Sequence, residues 1–155
     1  MNKLLRYFLY LILIIFLLFS IAIIFLVIQK DKIEEIILLD KTIIAREKTT
    51  INCDPMIKRK YRSTSIMIEI EENWNAFPPW KSVKLENGQE INIDVVLSSE
   101  NGKKFYSNII GSAGGMINVR FKPEIPINTP IKEVQILVDD KITIKKVIWQ
   151  DWNPK

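Results

Sequence analysis

The chain has 155 residues, with 22 basic against 18 acidic side chains, one cysteine and no histidine. The missing histidine excludes imidazole acid–base catalysis, the Ser-His-Asp triad and His-ligated metal sites, and a lone cysteine excludes an internal disulfide, so burial must hold the fold. Setting aside Lys3 and Arg6 leaves 20 basic residues against 18 acidic ones, a surplus too small to point to nucleic acid or an anionic lipid surface.

From Tyr7 to Ile28 no residue is charged, and polar groups are confined to Tyr7, Tyr10 and Ser20. As a helix these 22 residues would extend about 33 Å, against a hydrocarbon core of about 30 Å. The run is apolar all round, where a soluble core helix carries a polar stripe, so it reads as a transmembrane helix. A cleaved signal peptide fits less well. The apolar region is long and ends in Phe25-Leu26-Val27-Ile28-Gln29-Lys30, without a small-residue cleavage site. Cys53 lies well beyond the run, which excludes a lipoprotein signal.

Lys3 and Arg6 sit in a short N-tail that resists export. The cations beyond the helix, Lys30, Lys32, Lys41, Arg46 and Lys48, lead into a long domain whose translocation depends little on charge. The expected topology is single-pass in the cell membrane, with residues 1–6 cytoplasmic, 7–28 in the bilayer and the C-terminal domain extracytoplasmic. Residues 29–41 read as a charged juxtamembrane segment. Ile33, Ile36 and Ile37 recur there at helical spacing and predict two further helical turns. No Gly/Ser/Pro-rich stalk follows, so the domain is expected close to the bilayer.

From about Thr42 the apolar period changes to 2, and residues 42–155 read as one domain. Ile66-Ile68-Ile70, Val83-Leu85, Ile91-Ile93-Val95-Leu97, Ile117-Val119-Phe121, Val134-Ile136-Val138 and Ile142-Ile144 each alternate with intervening residues, as half-buried strands do. Asn87-Gly88 and Asn101-Gly102 predict two-residue hairpins with both central residues at positive φ. Asp139-Asp140 separates the last two strands, and Pro123, Pro126 and Pro130 punctuate a long connection. About eight strands with antiparallel turns predict an all-β fold, an antiparallel jelly-roll-like β-sandwich preceded by one transmembrane α-helix.

Three features from Lys81 onward carry a resemblance. The hairpin Asn87-Gly88-Gln89 leads into the long alternating Glu90–Leu97. The glycine-bearing Gly111-Ser112-Ala113-Gly114-Gly115 turn precedes Ile117–Phe121. Two paired strands, Val134–Val138 and Ile142–Trp149, close the chain. In that order, residues 81–155 resemble the C-terminal half of galactose-binding-like jelly rolls, the sandwich of many carbohydrate-binding modules. The resemblance implies a jelly roll and sugar binding, and it carries no ligand residue across.

The residues themselves suggest where a ligand would sit. Trp74 and Trp80 fall in Asn73-Trp74-Asn75-Ala76-Phe77-Pro78-Pro79-Trp80, and Trp149 and Trp152 lie near the C-terminus. Exposed indoles stack on sugars or anchor partners, whereas buried ones cap a sandwich core. Asn92, Asp94, Asn118, Arg120 and Gln135 form a polar set that either contacts hydroxyl groups or is simply a solvated face. The candidate ligand residues are therefore Trp74, Trp80, Asp94, Asn118, Arg120, Trp149 and Trp152. Cys53 reads as a small loop or core residue, and Glu71-Glu72 and Asp139-Asp140 as solvated turns. No catalytic residue, metal site or cofactor is expected. The expected function is non-enzymatic binding of a glycan. The alternative is a structural or accessory subunit of an envelope membrane complex, with the helix and the sandwich edge as interfaces.

Overall fold

Residues 10, 12–21, 33–77 and 82–152 are described by the structure, a computed structural model. The chain divides into two compact units, Met1–Lys32 and Ile33–Lys155. In the first, residues 12–21 are helical, and every large apolar side chain described there, from Tyr10 to Ile21, is exposed. Among the described residues no helix is long and apolar enough to cross a membrane. The expected span 7–28 lies partly outside them.

Among the described residues the second unit contains ten strands. They are β1 (Ile33–Ala45), β2 (Lys48–Lys58), β3 (Ser63–Ile70), β4 (Trp74–Phe77), β5 (Ser82–Leu85), β6 (Glu90–Ser99), β7 (Lys104–Ala113), β8 (Met116–Phe121), β9 (Pro130–Val138) and β10 (Ile142–Trp152). Residues 33–41, expected as juxtamembrane helix, are strand, so the sandwich begins at Ile33 rather than Thr42. The helical spacing of Ile33, Ile36 and Ile37 arises because both faces of β1 carry isoleucine: Ile36, opposite Trp149, packs against the core, while Ile33 and Ile37 are exposed on the other face. Two register shifts against β10, after Ile37 and after Asp40, break the strand's period of 2.

All pairings are antiparallel. One sheet, here sheet I, runs β1-β10-β3-β8-β7, and sheet II is built on β2-β9-β6, with β5 and β4 continuing from β6. Strand β7 belongs to both. Lys104–Tyr106 pair with β6 and Ser107–Ala113 with β8, with a bulge after Ser107 at the corner. Ser107 Oγ accepts from Val95 N at 2.8 Å and fixes that corner. The sheets are thus continuous through β7 and open on the other side, where β1 and β2 are edge strands among the described residues. The result is an antiparallel β-sandwich compatible with a jelly roll.

Between the sheets lie Ile66 and Ile68, Ile91 to Leu97 at alternate positions, Ile117, Val119, Val134, Ile136, Ile142, Ile144, Val147 and Trp149. Burying each such side chain stabilises by roughly 1.5–3 kcal/mol relative to exposure. The β-branched majority also suits the pleated backbone. The asparagine-glycine hairpins differ from expectation. Only Gly88 and Gly102 have positive φ, of 87° and 81°, and Asn87 and Asn101 do not. In each, the glycine N donates to the carbonyl three residues earlier (Leu85, Ser99), a type I turn closed by a left-handed glycine. The asparagine carboxamide accepts from Gln89 N in one and Lys103 N in the other, which a left-handed asparagine is not needed to achieve. Gly114-Gly115, with φ of 58° and 77°, is the hairpin with two left-handed residues.

Candidate binding face

Directly opposed residues of an antiparallel ladder share a face. On the outer face of sheet I the register places Ile33 beside Trp152 and Ser63. The next row is Glu35, Gln150, Ser65 and Arg120, followed by Ile37, Ile148, Met67, Asn118 and Gly111. Arg120 Cζ lies 5.8 Å from the Trp152 ring centroid, within cation–π range. Gln150 Nε2 donates to Glu35 Oε1 at 3.0 Å. Among the described residues no carboxylate is within ion-pair distance of Arg120. Ser65, Met67 and Asn118 are buried although they lie outside the core between the sheets. Asn118 Oδ1 has no hydrogen-bond partner among the described residues.

Three of the residues expected at a site, Asn118, Arg120 and Trp152, therefore meet on one face. The others do not join them. Trp149 has 0 % exposure and belongs to the core, so it presents no surface to a ligand. The reason is a bulge in β10: a register shift between Ile144 and Lys146 turns Val147 and Trp149 inward and Ile148 and Trp152 outward. Asp94 is exposed on sheet II, opposite Leu137. Trp74 is half-buried on β4 against the core, and Trp80 lies outside the described residues. The polar set is also split, because Asn92, Asp94 and Gln135 stand on sheet II. Asn92 is engaged there by the Asp139 carboxylate, which accepts from its backbone N at 2.8 Å.

A second concavity of about 470 Å³ opens at the β1–β2 seam and is lined by Ile36, Leu38, Cys53, Met56, Ile57 and Lys60, among others. Burial, and then the nearby Glu133 carboxylate, push the Cys53 thiol up to about 11, so it stays protonated and unreactive at neutral pH. Lys60 Nζ donates to Glu34 Oε1 at 2.6 Å, and that hydrogen bond and charge raise its pKa.

The reading of residue types overlooked two buried charges that shape one end of the sandwich. Asp151, 1 % exposed, accepts from Lys60 N at 2.5 Å, Tyr61 N at 3.0 Å and Thr64 Oγ1 at 3.0 Å. Arg59, 3 % exposed, donates to Tyr61 O at 2.8 Å and Glu124 Oε2 at 3.0 Å, and its carbonyl accepts from Asn128 N at 2.8 Å. Apart from Tyr61 beside Arg59, their partners are distant in sequence, and the only local signal was the proline-rich character of 123–130. Among the described residues no cluster of His, Cys, Asp and Glu could hold a metal. No family model, curated protein or solved structure matches the chain, so the likeness to galactose-binding-like jelly rolls rests on the order of strands alone.

Proposed function

We propose that the protein is a membrane-anchored, non-enzymatic binding subunit of the cell envelope that holds a partner protein against the outer face of sheet I. In this reading residues 7–28 lie in the bilayer, the N-terminus is cytoplasmic and the sandwich is outside. The carrying observation is where exposed aliphatic surface gathers. Ile33 and Ile37, 56 % and 53 % exposed, stand on the face that also bears Ile148, Trp152 and Arg120. Apolar surface around an aromatic–arginine pair, with Glu35 and Gln150 alongside, has the composition of a protein interface. The free edge of β1 supports packing on the face over addition of a strand, because its two bulges and its acidic Glu34, Glu35 and Asp40 oppose edge pairing. The exposed apolar helix at 12–21 supports the anchor, since such a surface is stable in lipid and costly in water.

A glycan is the second reading. It is favoured by the Arg120–Trp152 pair, a cation and an aromatic ring suited to a sugar's hydroxyls and apolar face. It is weakened by Trp149 and Trp74, which pack in or on the core instead of extending that face. A photo-crosslinking residue placed at Ile37 in intact cells should give one discrete protein adduct, and the same group at Asp94 none. No adduct at Ile37, together with retention of the protein on a glycan array, would replace the first reading by the second. Protease added to spheroplasts should remove a C-terminal tag, and protection until lysis would reverse the topology.

A further inference from the structure

The chain's charges nearly cancel in sequence, yet the fold sorts them between the two ends of the sandwich. At the end where β1 begins, the connections 58–63, 99–104 and 121–130 carry seven basic and two acidic residues. At the opposite end, the connections 45–48, 70–74, 85–90, 113–116 and 138–142 carry three basic and seven acidic residues. Within those connections the buried Arg59 neutralises Glu124, and on the adjoining strands Glu34 pairs with Lys60 while Asp151 is buried. Lys58, Lys60, Arg62, Lys103, Lys104 and Lys122 are all exposed there. Ile33, Tyr106 and Ile127, 56 %, 62 % and 55 % exposed, accompany them. Lys103, Lys104, Lys122 and Tyr106 border a cavity of about 350 Å³. Its far wall belongs to the 121–130 connection, which Arg59 fixes through Glu124 and Asn128.

We infer that this basic end is a docking surface for anionic phospholipid headgroups. The inference rests on the anchored reading above, because lipid must lie within reach of Ile33, the residue at which the sandwich begins. Lysine and arginine near an anionic bilayer each contribute roughly fivefold in affinity, and the effect fades within about a Debye length, about 10 Å. Exposed tyrosine and isoleucine belong at the same depth, where an aromatic or aliphatic group can enter the interface while the ammonium groups remain among phosphates. The acidic end would be repelled, so opposite charge at the two ends orients the sandwich on the surface. That orientation leaves the outer face of sheet I upright and open to a partner.

The test uses the full chain in nanodiscs of phosphatidylcholine, alone or mixed with phosphatidylglycerol. Backbone hydrogen exchange at 99–106 and 121–130 should slow severalfold only in the anionic discs, and exchange at 85–90 and 138–142 should not change. The combined change Lys103→Glu, Lys104→Glu and Lys122→Glu should abolish that protection without altering the melting temperature. Equal exchange in the two kinds of disc overturns the inference and leaves the anchor intact. Equal protection by inorganic phosphate in neutral discs overturns it in favour of a soluble anion. A chain that fails to enter discs of either kind overturns both the inference and the anchor.

Discussion

Trp149 and Trp152 stand three positions apart on one strand, yet the first has no exposed surface and the second shares the outer face of sheet I with Arg120. Nothing in their side chains distinguishes them. The inner face of β10 continues from Ile142 and Ile144 to Val147, Trp149 and Asp151, and its outer face from Thr143 to Ile148, Gln150 and Trp152. A single extra residue near Lys145 exchanges the two sets. Burial is therefore assigned here by register, and a residue type that suits both core and interface acquires its role from its phase.

The largest effect should come from the inner face. Trp149→Ala should cost about 3–5 kcal/mol, because the cavity left between two sheets cannot collapse; urea unfolding measures it. Asp151→Ala should cost about 2–3 kcal/mol, since two backbone N–H groups and the Thr64 hydroxyl lose a charged acceptor. Exchange at 58–63 should quicken in that variant before the rest of the domain responds.

On the outer face, Trp152→Ala should change stability by no more than about 1 kcal/mol. It should nevertheless weaken partner binding roughly thirtyfold or more, as loss of an interface indole does. If it destabilises the domain as much as Trp149→Ala, the contrast between the faces is wrong.

The smallest effect is at alkaline pH and concerns Cys53 in the core. Its pKa is raised from 9.0 to about 11, so the neutral thiol is the form the fold favours. The associated stability is complete below pH 9.0 and is lost as pH rises toward about 11. Lys60, also raised, acts in the same direction, so the comparison to make is the parent with Cys53→Ala. The urea midpoint of the parent should fall more steeply across that window. Parallel curves would show that the thiol is not buried as described.

Strands β6, β8 and β9 were legible as runs because their alternation is regular and one face of each is apolar. Strands β1 and β2 were not. Bulges after Ile37, Asp40 and Asn52 disrupt their period, as befits free edges. The site was legible in its residue types more than in its grouping. Asn118 and Arg120 fall together because they alternate on one strand, but Trp152 joins them only through the order β10-β3-β8. Asp94 seemed equivalent to them until β6 paired with β9 in the other sheet. The Arg59 and Asp151 contacts depend on loops meeting at one end of the fold, which no spacing rule encodes. The same is true of the charge separation between the ends, which the whole-chain balance conceals.

Ile33 and Trp152 are ladder partners, so both ends of the sandwich leave it side by side, on the edge pair β1–β10. This arrangement has a mechanical consequence. Tension applied between the two positions acts along the hydrogen bonds, perpendicular to the strands, and opens the ladder rung by rung from Ile33, instead of loading all the bonds together in shear. The first element to peel would be the one with the most exposed surface and the most irregular pairing, while β10 remains held by β3. A force applied between these two positions would therefore meet its first resistance at the β1–β10 edge and not in the core.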